Sequence, residues 1–243
     1  MEYEKLVKDQ NLIREYIIRM GSDKSNDDIA PITDGLVDCE SYLGASCRIA
    51  WVLKEPYDDF DDDGKPCGGG WDMSNIYNTT EDVYDNIKGN PTLNTMSYVT
   101  YGILEDKNYE FMPWIYEDPA VANSLRSVVH MNISKFPGKT TTAWKKLYSN
   151  YEYWRPILLF QLQVYKPHVI IFGNVMELFS EDLGLQDIIH SDYDKAVDYA
   201  IKNNCIYINA YHPSQRNAMK KEDYINGIVE IVREHSSEID FSI

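Results

Sequence analysis

Four short segments do most to limit what this chain can fold into. Residues 48–54 (Arg-Ile-Ala-Trp-Val-Leu-Lys), 127–133 (Ser-Val-Val-His-Met-Asn-Ile), 167–172 (Pro-His-Val-Ile-Ile-Phe) and 205–210 (Cys-Ile-Tyr-Ile-Asn-Ala) are β-type runs, largely apolar and without strict alternation. A strand that does not alternate is buried on both faces, as in a parallel sheet covered by helices. Helical patterns separate the four runs. The expected fold class is therefore α/β, a three-layer α/β/α arrangement around a central, mainly parallel four-stranded sheet. One domain is expected over residues 1–243, with its core at about 45–233 and an N-terminal helix at 3–20.

That helix is marked by Leu6, Leu12, Ile13, Tyr16, Ile17 and Met20, with Gly21 as its C-cap. Residues 22–35 read as a loop. Residues 79–104 are helical with an interruption at Gly89-Asn90-Pro91, and 120–126 form a short helix. Residues 141–165 carry a long helix in which Pro156 predicts a kink or a break. Further helices are expected at 175–183, at 194–203 and after residue 220.

The 243 residues are 44% hydrophobic, enough for a sizeable core. No apolar run approaches the roughly 18 residues of a membrane span, and the first residues lack a signal-peptide pattern. A cytoplasmic protein without membrane contact is expected. The four cysteines are widely and irregularly spaced, which predicts reduced structural thiols and no metal or other cofactor. Asp59, Asp61, Asp63 and Gly64 copy half of a calcium loop, but its twelfth position is Gly70 where a glutamate is needed. A solvated acidic loop is the better reading. The net charge of −16 argues against broad, charge-driven binding to nucleic acid and leaves room only for a local basic rim.

All four runs end in polar loops bearing glycine or proline. In open α/β sheets, ligands bind beyond the carboxyl ends of the strands. Proline at 213 holds His212 extended where the last strand stops. Gly68-Gly69-Gly70-Trp71 suits a lid or a stacking platform.

These four strand ends, in this order, resemble the uracil-DNA glycosylase superfamily. Leu53-Lys54-Glu55-Pro56-Tyr57 is similar to its water-activating loop, usually Gly-Gln-Asp-Pro-Tyr. On that match Glu55 takes the place of the catalytic aspartate and Tyr57 that of the tyrosine that excludes thymine. Residues 131–138 resemble the strand and loop carrying a base-reading asparagine, here Asn132. Residues 166–174 look like the structural strand and glycine turn. His212-Pro213-Ser214-Gln215-Arg216-Asn217 resembles the loop that presses on the minor groove. Its ending is closest to the single-strand-selective monofunctional branch, where an arginine is the wedge. Leu53 and Lys54 depart from the usual Gly-Gln, and Glu55 is one methylene longer than aspartate.

The resemblance implies hydrolysis of the N-glycosidic bond of uracil or another deaminated base. Glu55 and His212 would be catalytic. Glu55 would orient water and stabilise the sugar cation, and neutral His212 would hydrogen-bond the departing base. Tyr57, Trp71 and Asn132 would bind the base, with Trp71 preferred over Phe60 for stacking. Lys135, Lys139, Ser214, Arg216 and Lys220 would contact DNA, single-stranded or duplex, or the phosphate of a nucleoside-type ligand. The alternative is a catalytically altered or inactive protein of the same fold that binds a nucleotide, nucleic acid or a protein partner. The bland alternatives are that His212 caps a turn, Asn132 is a buried structural amide and Arg216 is a surface arginine. A hydrolase of a small nucleoside or ester is a third class, but no Gly-x-Ser-x-Gly elbow supports an esterase.

Overall fold

The computed structural model describes residues 2–24, 29–65, 67–138, 143–214 and 218–241. Among these, seven strands form one mixed sheet: β1 (Gly35–Leu36), β2 (Ile49–Leu53), β3 (Val128–Asn132), β4 (Val169–Gly173), β5 (His190–Asp192), β6 (Val197–Lys202) and β7 (Cys205–Ala210). Their order is β1-β3-β2-β4-β7-β6-β5. The four runs read from the sequence are β2, β3, β4 and β7, mutually parallel at the centre. The expectation of a four-stranded sheet is corrected by three antiparallel additions. β1 pairs with β3, and β6 and β5 extend the sheet beyond β7.

The expected helix at 194–203 is replaced by β6. Asn203 and Asn204, with φ of 51° and 61°, form the two-residue connection to β7. Two consecutive left-handed residues are what a tight hairpin with the natural strand twist requires, and asparagine tolerates them. The turn chemistry therefore outweighs the helical pattern upstream of it.

Eight α-helices are described beside four short 3-10 turns: α1 (Tyr3–Lys24), α2 (Cys39–Gly44), α3 (Thr80–Ile87), α4 (Pro91–Glu105), α5 (Pro119–Asn123), α6 (Trp144–Tyr165), α7 (Met176–Leu183) and α8 (Lys221–Glu234). The first helix runs past Gly21, which is not its C-cap. A Cβ at this buried glycine would overlap the Pro31 ring, so the residue serves a close approach inside the helix. In the sixth, the run continues through Pro156 without a break. Pro156 lies on the exposed face, where water reaches the backbone carbonyl left without its bond.

Successive strand residues feed two cores. Trp51, Ile171 and Ile208 join Val99 of α4 and Ile228 of α8 on one face. Val52, Met131 and Phe172 join Ile13 of α1, Leu158 of α6 and Phe179 of α7 on the other. The chain passes from β2 to β3 through α3–α5, then returns through α6 to β4 on the far side of β2. Strand order thus reverses at β2, the position at which doubly wound sheets open a crevice.

Candidate functional site

A cleft of about 980 Å³ opens at the carboxyl ends of the central strands. Its rim begins where backbone pairing continues past the strands. Ile133 N–H donates to the Leu53 carbonyl, Ser134 N–H to that of Lys54, and Gly138 N–H to that of Pro56, each at 2.9 Å. The loops after β2 and β3 are therefore joined along their length. A Cβ at Gly138 would overlap the Glu55 Cγ, so the second loop closes directly against the stem of Glu55.

Glu55, Tyr57, Trp71, Asn132, His212 and Ser214, all singled out from the sequence, line this cleft. Tyr57 lies 70% exposed, with its ring 6.3 Å from that of Phe60. Trp71 is fixed by its own indole N–H, which donates to Asp58 Oδ2 at 2.6 Å. The same oxygen accepts Gly69 N–H at 2.7 Å, and Gly70 N–H donates to the Ala30 carbonyl at 3.0 Å. Gly69 and Gly70 have φ of 112° and 74°, a backbone path that favours glycine. The glycine run is thus a bonded support for Trp71 as well as a turn.

The acidic loop also folds on itself. Asp61 accepts Lys65 N–H at 2.7 Å through its side chain, while Asp61, Asp62 and Asp63 stay exposed. Among the described residues, no three His, Cys, Asp or Glu side chains gather as a metal would require.

His212 leaves β7 and is held by the turn that follows. Ser214 N–H donates to its Nδ1 at 3.3 Å, and the Ser214 hydroxyl lies 2.8 Å from the same nitrogen. With a backbone N–H donating to it, Nδ1 is an acceptor, and the neutral ring carries its proton on Nε2. Burial, with Lys54 adding repulsion, lowers the His212 pKa to about 4. His130, at the cleft floor, is also lowered to about 4 by burial. Gly173 ends β4 between Leu53 and His212, where a Cβ would crowd Leu53.

These depressed values fix the sign of a pH effect. The unfolded chain takes up protons near 6.5, and the folded chain resists them until about 4. The two histidines therefore withdraw stability as pH falls from about 6.5 towards 4 and have no such effect above that window. In an NMR titration of the five histidines, the His130 and His212 rings are expected to stay neutral from pH 8 to 5. A midpoint above 6 for either ring would contradict its described burial.

The expected DNA contacts separate into three groups. Lys139 and Arg216 lie outside the described residues. Lys220 is exposed at the start of α8, and Ser214 turns back on His212. Lys135 is corrected outright. Its side chain is fully buried and its Nζ lies 2.6 Å from Asp34 Oδ2, so no phosphate can reach it. Lys221, the residue after Lys220, lies 4.1 Å over the Tyr98 ring, and burial lowers its pKa to about 8.

Asn132 is the last residue of β3, and its position depends on a partner that the sequence did not reveal. Asp34 Oδ2 accepts Asn132 N–H at 2.7 Å. The Asn132 amide points towards Met73, with Nδ2 3.7 Å from the sulfur. Sequence reasoning also missed the part of the lining supplied by the α3–α4 turn, with Lys88, Asn90 and Pro91, and by the buried Tyr77. The Gly89-Asn90-Pro91 punctuation signalled a turn there, but no sequence pattern showed that it shares a cleft with Glu55. No protein-family model matches the chain, and no curated protein matches it.

Proposed function

We propose that this cleft binds a nucleobase or nucleoside-type ligand and hydrolyses its N-glycosidic bond, with uracil or another deaminated base leaving. The observation that supports this most is the meeting of Glu55, Asn132 and His212, from three different strand ends, in one cleft. In the reaction, water oxygen bonds to the anomeric carbon as the carbon–nitrogen bond breaks. The bonding pair goes to the base, and the Glu55 carboxylate takes the proton of the water. The His212 Nε2–H donates to the base oxygen that gains negative charge, a role for a neutral ring. Trp71 offers a ring for stacking and Asn132 an amide for the polar edge. A base within a duplex must first leave the stack, at a cost of a few kcal/mol.

One observation favours a second reading, a protein that binds such a ligand without cleaving it. Asp61, Asp62 and Asp63 are exposed on the loop that follows Tyr57, and they disfavour a long phosphate backbone there. The test is base release from single-stranded oligonucleotides carrying uracil, hypoxanthine or xanthine at low salt. Release of one of these bases is the expected result. Folded protein that releases none would remove the hydrolytic reading and leave the binding one.

A further inference from the structure

Three aromatic rings stand together on the surface near the cleft. Trp114 and Tyr116 are 53% and 48% exposed, and Tyr84 of α3 is partly so. Asp85 and Asn86, the next residues of α3, line the cleft itself. The Tyr84 and Tyr116 rings stack at 5.8 Å and 25°, and Trp114 leans on Tyr116 at 5.7 Å and 57°. The backbone beneath the rings is bonded. Glu117 N–H and Asp118 N–H donate to the Trp114 carbonyl at 2.8 Å and 3.2 Å, closing a turn. Between the two exposed rings Ile115 is buried, and its N–H donates to the Tyr98 hydroxyl at 2.9 Å. Asp118 caps α5 by accepting Ala120 N–H at 2.9 Å. The Thr79–Asp82 capping box fixes the start of α3, and Val83 and Ile87 anchor it in the core. The rings are thus held in place before any partner arrives, which keeps the entropy cost of binding on them low.

The charge around the rings selects the partner. Glu81, Asp85 and Glu117 are exposed and make no hydrogen bond or ion pair among the described residues. Asp118 lies near enough to add to burial in raising the Tyr84 pKa. Residues 79–88 and 109–118 together hold six carboxylates and one cation, Lys88. Among the described residues, no lysine or arginine of the chain lies over any of the three rings. An exposed ring draws a cation onto its face, most of all a guanidinium, and a carboxylate beside the ring strengthens the attraction. We infer that this ring array docks an arginine-bearing, extended segment of a partner protein, its guanidinium groups stacked on Trp114 and Tyr116 and paired with Glu117 and Glu81. A second copy of this chain carries the same net charge of −16 and is repelled, as is a phosphate backbone. Such docking does not depend on the reaction in the cleft.

The experiment titrates the whole protein with an Arg-Gly repeat peptide and a Lys-Gly repeat of equal length. Salt is held at about 150 mM, so that long-range attraction to an acidic protein is screened. Calorimetry gives the affinity, and the indole N–H signals of the five tryptophans give the place. The arginine peptide is expected to bind more tightly than the lysine one and to shift the Trp114 signal. The signal of Trp71, which is bonded to the acidic loop through Asp58, is expected to stay. Trp114→Leu leaves the charge unchanged and is expected to weaken binding about tenfold. Changing Asp61, Asp62 and Asp63 together to asparagine removes charge away from the rings and is expected to alter affinity by less than about twofold. If Trp114→Leu melts lower than wild type, Glu117→Gln takes its place, with about two- to threefold weaker binding expected. Equal binding of the two peptides, a greater loss in the loop variant than at the rings, or no binding at all would overturn the docking surface. A Trp114 signal that moves with protein concentration alone would assign the face to a second copy and overturn it as well.

Discussion

Replacing Asp34 with alanine is expected to destabilise the protein by about 3–5 kcal/mol, the usual effect of removing one partner from a buried ion pair. Asp34 and Lys135 are almost wholly inaccessible. The Lys135 ammonium lies 2.7 Å and 2.6 Å from the two Asp34 oxygens and 3.2 Å from Gln161 Oε1. Burial lowers the Lys135 pKa, and Asp34 opposes that shift. Without the carboxylate, only the neutral Gln161 amide oxygen remains to meet the buried charge, and the ammonium must lose its proton or draw in water. Asp34 also accepts the Gln161 amide at 2.8 Å and Asn132 N–H at 2.7 Å, so three segments lose a common acceptor. Urea denaturation measures the loss. Adding Lys135→Met to Asp34→Ala is expected to recover much of it, since the charge that needed a partner is gone. A loss below about 1 kcal/mol in the single variant would show that the pair is not buried as described. The same network bears on the site, because Asn132 is held at the cleft through its backbone bond to Asp34.

Under the proposed function, Glu55→Gln and His212→Ala are each expected to slow base release by about 10²–10⁴-fold, the range for removing a general base or an oxyanion donor. Glutamine keeps the size of Glu55 and its contact with Gly138, so that variant tests the charge with little change in packing. His212→Ala removes the Nε2–H, and loses the ring beside Gly173 as well. Single-turnover release measures both, with urea denaturation confirming that the fold persists. Unchanged rates in both variants would remove this mechanism. Ser214→Ala is expected to cost less, because the Ser214 backbone N–H still fixes the Nδ1 acceptor.

The central strands were legible because each is a short apolar run that only a sheet covered on both faces can bury. The edges were not. β1 is two residues long and carries no pattern, and β6 has a helix-like sequence that the Asn203-Asn204 turn overrides. Helix ends were read less well for a related reason. Gly21 has the composition of a cap, but the neighbour that decides its role is Pro31, a contact with no local signal.

The site divides in the same way. The residues at the strand ends were recognisable in sequence because a strand end fixes where a side chain emerges, and parallel strands send all such ends to one edge. Six of the ten residues singled out line the cleft, five of them at or just past a strand end and Trp71 on the glycine run of the loop that follows β2. What composition could not show is where a charge points. Lys135 looked like a phosphate contact, and it faces inwards because Asp34, 101 residues earlier, meets it in the core. Asp58 likewise gains its role from a loop's return path, which brings Gly69 and Trp71 back to it. Local sequence determined the strands, the turns and the edge at which the site lies. Only the tertiary structure decided which polar groups are paired, buried or left facing the cleft, because desolvation and pairing depend on contacts made across the whole chain.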